Sequence, residues 1–132
     1  LSEEGVTEKG IVILGTVEGD LHDIGKNLVK MMMEGKGLKV IDLGIDVPAQ
    51  NFVQAAIENK ANIIACSALL TTTMPMMKAV VDAVKQSSIA NDVKIMIGGA
   101  PVTESFAKDI GADCYTADAT SAARAALSFC VA

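Results

Sequence analysis

The sequence predicts an α/β fold: a five-stranded parallel sheet, doubly wound, with helices on both faces. Three observations predict it. Short β-type runs alternate with longer stretches of helical periodicity, five times along the chain. The clearest of the β-type runs are apolar at consecutive positions, the mark of strands covered on both sides. Gly, Pro and Asp residues stand between the runs, where one element must stop and the next start.

Residues 10–17 (GIVILGTV) read as the first strand. From Ile24 the period changes, with Ile24, Leu28, Met31 and Met32 as an apolar stripe. Lys26, Asn27, Lys30 and Glu34 fall outside that stripe, and Gly35 and Gly37 close the helix. Residues 38–44 (LKVIDLG) form the second strand, and Pro48 sits in the first turn of the helix that follows. Residues 61–69 (ANIIACSAL) are a third buried strand, followed by a helix with Met77, Val80, Val81 and Val84 as its stripe. Residues 93–99 (VKIMIGG) are the fourth strand, and a short helix after it ends at Gly111. DCYTA is a weak fifth strand and TSAARAALSFC the last helix. Strict alternation with right-handed crossovers gives a flavodoxin- or Rossmann-like sheet in the order 2-1-3-4-5. Residues 1–132 read as one domain, with SEEG near the start as a solvent-facing tail.

Composition narrows the function. The residues are 51% hydrophobic but only 3% aromatic, so the core is aliphatic and methionine-rich. A formal net charge of −5 argues against nucleic acid, whose phosphates call for clustered Lys and Arg. No apolar run approaches the roughly 20 residues that cross a bilayer, so no membrane partner is expected. Cys66, Cys114 and Cys130 have neither zinc nor disulfide spacing and read as small hydrophobes in a reducing, cytoplasmic setting.

Sheets of this kind bind ligands outside the carboxyl ends of their strands, beside strand 1. His22, the only histidine, stands in the loop leaving that end, in EGDLHDIGKN, between Asp20 and Asp23. Three loops converge there: VEGDLHDIG, SALLTTTM and GGAPVT. Cys66-Ser67 occupies the place where a phospho-acceptor aspartate would be needed. No G-x-G-x-x-G turn or G-K-[ST] loop follows a strand, and ACSAL lacks the glycines of a nucleophile elbow. What remains for a neutral imidazole beside a carboxylate is metal ligation, with a solvated loop pair as the alternative. One histidine cannot hold a bare ion, so the metal would arrive already held, as in a macrocycle with one free axial position.

With Asp20, His22 and Gly25, then Ser67 and Leu69, then Gly98 and Gly99, the chain resembles the D-x-H-x-x-G, S-x-L and G-G signature of cobalamin-binding domains. The resemblance covers essentially the whole chain. It implies cobalamin bound base-off, with His22 as lower axial ligand to cobalt and Asp20 as its hydrogen-bonding partner. Thr73 stands where relatives often have the Ser that completes the relay. Ser67 and Leu69 would line the pocket for the nucleotide tail, Ser67 hydrogen-bonding the benzimidazole. Gly25, Gly98 and Gly99 would let backbone approach the tail.

SALLTTTMPMM resembles the methyl-transferring branch, the corrinoid proteins of methanogens and acetogens. That implies a methyl carrier, cycling between cob(I)alamin and methylcobalamin, rather than a complete enzyme. Its partners would be a substrate-specific methyltransferase, an acceptor methyltransferase using coenzyme M or tetrahydrofolate, and a reductive activator. The alternatives are a small subunit of an adenosylcobalamin mutase and a cobalamin sensor. Relatives carry a helical-bundle cap before this domain, and the expectation here is a binding domain without it. Three further expectations concern local roles: Thr71 to Thr73 cap the following helix, Asp23 caps the first helix or is solvated, and the Met runs are core.

Overall fold

The computed structural model describes residues 10–131. The SEEG segment lies outside them. Five parallel strands stand in the order β2-β1-β3-β4-β5. They are β1 (Ile11–Thr16), β2 (Lys39–Asp42), β3 (Ile63–Ser67), β4 (Lys94–Gly98) and β5 (Cys114–Tyr115). The helices between and after them are α1 (Ile24–Gly35), α2 (Ala49–Asn59), α3 (Pro75–Lys85), α4 (Glu104–Ile110) and α5 (Ala119–Val131). The doubly wound architecture is the expected one. Among the described residues, no helix is long and apolar enough to cross a membrane.

Consecutive apolar residues in the strands serve two cores at once. Ile13, Ile64, Cys66, Ile95 and Ile97 face the layer of α2, α3 and α4, where they meet Phe52, Met77, Val80, Val81 and Val84. Val12, Leu14, Ile63, Ala65 and Met96 face α1 and α5, where they meet Met33, Ala122, Ala123 and Ala126. The two cores differ in bulk. A Cβ on Gly15 would lie 3.0 Å from the Phe52 ring, so the first layer is filled to contact. In the second, α5 contributes the alanines Ala122, Ala123 and Ala126, and the carboxyl end is left open. In register, Thr16, Ser67 and Gly98 stand side by side across β1, β3 and β4, and Ser67 and Gly98 line that opening.

Helix termini follow local chemistry. Thr103 caps α4 by accepting from the Phe106 N–H, and Gly111 ends it at φ 83°. Pro48 stands just before α2 as its N-cap residue rather than within the first turn. Asp23 is the N-cap residue of α1, yet its side chain makes no capping bond and lies in solvent. The threonines do not cap α3: its N-cap residue is Met74, with no side-chain bond. Of the Met runs, Met33 and Met77 are fully buried, whereas Met31 is exposed.

The orientation of α1 departs from expectation. Ile24 is 84% exposed, and Leu28 and Met31 also face outward. Lys26, assigned above to the outside, is buried. Its ammonium sits 2.7 and 2.9 Å from the two Asp42 carboxylate oxygens and 2.6 Å from Asn27 Oδ1. Burial works against the Asp42 charge, but the Lys26 ammonium, the Gly44 N–H and Lys30 outweigh it and lower the Asp42 pKa. The pair ties the first turn of α1 to the end of β2. A charge that must reach a buried partner overrides the apolar stripe, because an unpaired buried ion costs more than an exposed Ile.

Lys26→Met should therefore destabilise the domain by about 2 kcal/mol, read as a lower urea midpoint with unchanged slope. Adding Asp42→Asn should recover part of the loss, because the orphaned carboxylate is then gone.

Candidate functional site

The site starts from a turn. Gly19 takes φ +88°, which reverses the chain after β1 and directs the Asp20 side chain inward. Asp46, itself at φ 54°, accepts the Gly19 N–H on Oδ1 at 2.7 Å and donates its own N–H to the Asp20 carbonyl. The β2–α2 loop thus braces the β1–α1 loop from one side.

From the other side comes β3–α3. Asp20 is 0% exposed, and its carboxylate collects five donor contacts. Oδ2 accepts the Leu69 N–H at 2.7 Å, the Leu70 N–H at 3.3 Å and the Thr73 hydroxyl at 2.7 Å. Oδ1 accepts the His22 N–H at 3.2 Å and lies 2.7 Å from His22 Nδ1. Burial pushes the Asp20 pKa up, but the Leu69 N–H, the His22 ring, the Thr73 hydroxyl and the His22 N–H together hold it well below the usual carboxylate range.

An ionised Asp20 can only accept, so Nδ1 of His22 is the protonated ring nitrogen. That fixes the tautomer and leaves the lone pair on Nε2. The ring is about half exposed. Its main chain is anchored as well: the buried Thr16 hydroxyl donates to the His22 carbonyl at 2.8 Å.

Beside the histidine opens a cavity of about 550 Å³, bounded by α1, the ends of β1, β3 and β4, and α5. Its inner wall is Leu14, Met33, Ala65, Met96 and Ala122. His22, Gly25, Ser67, Leu69, Gly98 and Gly99 all line it. Asp20 and Thr73 stand behind the histidine, buried. The eight residues singled out in the sequence therefore converge, six on the cavity, Asp20 on the histidine and Thr73 on Asp20. Gly25 has open space around its Cβ position. Gly99 is demanded by the chain itself: at φ +135° a Cβ would collide with the Ala68 carbonyl.

Sequence reasoning missed the fourth loop of the cavity, Thr116 to Ala119, and the alanine face of α5. The run ADATSAARAA was the available signal, since small residues on a sheet-facing helix leave room. Thr16, Lys26 and Asp46 carried no legible signal. Among the described residues, no three His, Cys, Asp or Glu side chains converge to hold a bare ion. All three cysteines are free, and burial raises the thiol pKa of Cys66.

Comparison with known proteins gives consistent results. The profile of the family described as B12 binding domain matches residues 10–127. The dimethylamine corrinoid protein 1 of Methanosarcina acetivorans is 47% identical over 116 residues, 88% of this chain and 54% of that protein. The monomethylamine corrinoid protein of Methanosarcina barkeri superposes with a TM-score of 0.87 at 38% identity, over 95% of this chain and 60% of that one. The methanol:cobalamin methyltransferase complex of Methanosarcina barkeri gives 0.86 at 34% identity, over 95% of this chain and 50% of that one. The chain spans about half the length of the first of these relatives.

The Asp20 geometry has a pH signature. A depressed folded pKa contributes stability that is fully present above the unfolded value of about 3.9 and is lost as pH falls from there towards the folded value. Asp20→Asn should cost about 2–3 kcal/mol at neutral pH. Its urea midpoint should fall less steeply than wild type between about pH 5 and pH 2.

Proposed function

Since this chain belongs to the B12-binding domain family, we propose that it is the cofactor-holding module of a methyl-carrying corrinoid protein. The observation that carries the reading is the Thr73–Asp20–His22 chain, which ends at a deep, largely apolar cavity. The residues present suit base-off cobalamin. One ring nitrogen of His22 is engaged and the other is free to bind cobalt. The cavity volume lies within the range of about 300–1,000 Å³ typical of small-molecule sites and suits a nucleotide tail.

When bound, the cobalamin supplies a cobalt that accepts and gives up a methyl group. The chain does the rest. His22 would hold the cobalt through Nε2. Asp20 keeps the proton on Nδ1, which leaves the Nε2 lone pair for a ligand bond. Thr73 and the Leu69 and Leu70 N–H groups keep Asp20 ionised. Leu14, Ala65, Met96 and Ala122 exclude water from the tail, and Ser67 offers it a hydroxyl. Gly25, Gly98 and Gly99 leave its path clear of side chains.

Identity to the dimethylamine corrinoid protein supports a methylamine as the methyl source, delivered by a substrate-specific methyltransferase. An acceptor methyltransferase would unload the methyl group to a thiol or folate, and a reductive activator would restore the cofactor after oxidation. The three free thiols suit a cytoplasmic protein.

The first test is to bind hydroxocobalamin, reduce it to cob(II)alamin and record its EPR spectrum. Wild type should show nitrogen hyperfine splitting that changes when histidine is labelled with nitrogen-15. His22→Ala should retain the cofactor and lose the splitting. Absence of binding to wild type would refute the reading. Conversion of the bound cofactor's visible spectrum by a methylamine-specific methyltransferase and its substrate tests the carrier role.

A further inference from the structure

We infer that Thr16 is a positioning residue for His22, holding the histidine main chain in place for ligation from the rigid end of the sheet. The inference rests on the reading of His22 as a cobalt ligand.

Side-chain packing does little to hold this histidine. Its ring is about half exposed, Leu21 and Ile24 beside it face solvent, and Gly25 has no neighbour within 4 Å of its Cβ position. Position must come from polar anchors. Two of them, at the His22 N–H and Nδ1, run to the same oxygen of Asp20, two residues away in the same loop. Those contacts fix the ring against Asp20 but give Leu21 to Asp23 no tie to the sheet, and the next tie is Lys26–Asp42, one turn on. The Thr16 hydroxyl supplies the missing tie, 2.8 Å from the His22 carbonyl.

Thr16 is suited to the task because it is immobile. It is the last residue of β1, is 1% exposed and lies in register with Ser67. Its N–H donates to the Gly44 carbonyl and its carbonyl accepts the Val47 N–H. Every polar atom is thereby engaged, and β-branching restricts χ1, which aims the hydroxyl. Preorganisation of this kind reduces the entropy lost when a loop ligand is fixed on a metal.

The test compares Thr16→Val, which keeps shape and removes the hydroxyl, with Thr16→Ser, which keeps the hydroxyl. Hydroxocobalamin is bound to each, reduced to cob(II)alamin, and the ratio of histidine-bound to histidine-free signal is read by EPR. The ratio should fall about fivefold in Thr16→Val, the effect of one hydrogen bond, and stay within twofold of wild type in Thr16→Ser. Cobalamin affinity should change less than the ratio, because the tail cavity is untouched. An unchanged ratio in Thr16→Val overturns the inference, and so does an equal fall in both variants. If Thr16→Val does not fold, Thr16→Ala is read in its place, and failure of both to fold assigns Thr16 to the fold alone and overturns the inference. A wild type that binds no cobalamin removes the reading beneath the inference, an outcome distinct from any difference among variants that bind.

Discussion

A buried carboxylate that must stay ionised organises this molecule. Asp20 has no contact with solvent, so its charge is supported only by donors that the chain brings to it. Those donors come from its own loop and from the start of the β3–α3 connection, while the β2–α2 connection holds the peptide that carries it. Three loops far apart in sequence are thus tied together at one residue, two through its side chain and the third through its main chain. The lock also decides the histidine tautomer, since an anion fully occupied as acceptor admits only a protonated Nδ1. Local fold and site chemistry are here the same set of hydrogen bonds.

The cavity has a different origin, in side-chain size. Phe52 fills the α2 side of the sheet until it touches Gly15, whereas Ala65, Ala122, Ala123 and Ala126 occupy corresponding positions on the other side. Met33, Val12 and Ile63 fill the amino-terminal half of that layer. Space is left at the carboxyl end, where Gly98 and Gly99 line the wall. A slot next to a fixed histidine results.

How much of this was legible in the sequence varies with the physics involved. The strands were plain because β1, β3 and β4 are apolar on both faces, a pattern that few alternatives share. The convergence of Asp20, His22, Ser67 and Gly98 followed from topology, which sends their loops to one edge. Helix α1 was misread because periodicity reports an apolar stripe but not what it faces. Ile24 and Leu28 border the cavity mouth, and Lys26 turns inward to Asp42. Thr73 admitted two readings, helix cap and relay member, because a cap and a carboxylate donor need the same hydroxyl, and only the loop path tells them apart. Thr16 and Asp46 were silent, since a threonine ending a strand and an aspartate in a turn are ordinary until their partners are seen.

The loop from Asp20 to Gly25 has two sides with different obligations. Asp20 and His22 face inward and are committed to hydrogen bonds, while Leu21 and Ile24 project outward and hold nothing in place. Selection can therefore act on alternate residues of one hexapeptide for separate ends. Substitutions at the outward positions can change what surface this domain presents, and hence which proteins recognise it, without disturbing the inward pair. Drift at Leu21 and Ile24 would reshape the rim of the cavity while the Asp20–His22 pair stays constant.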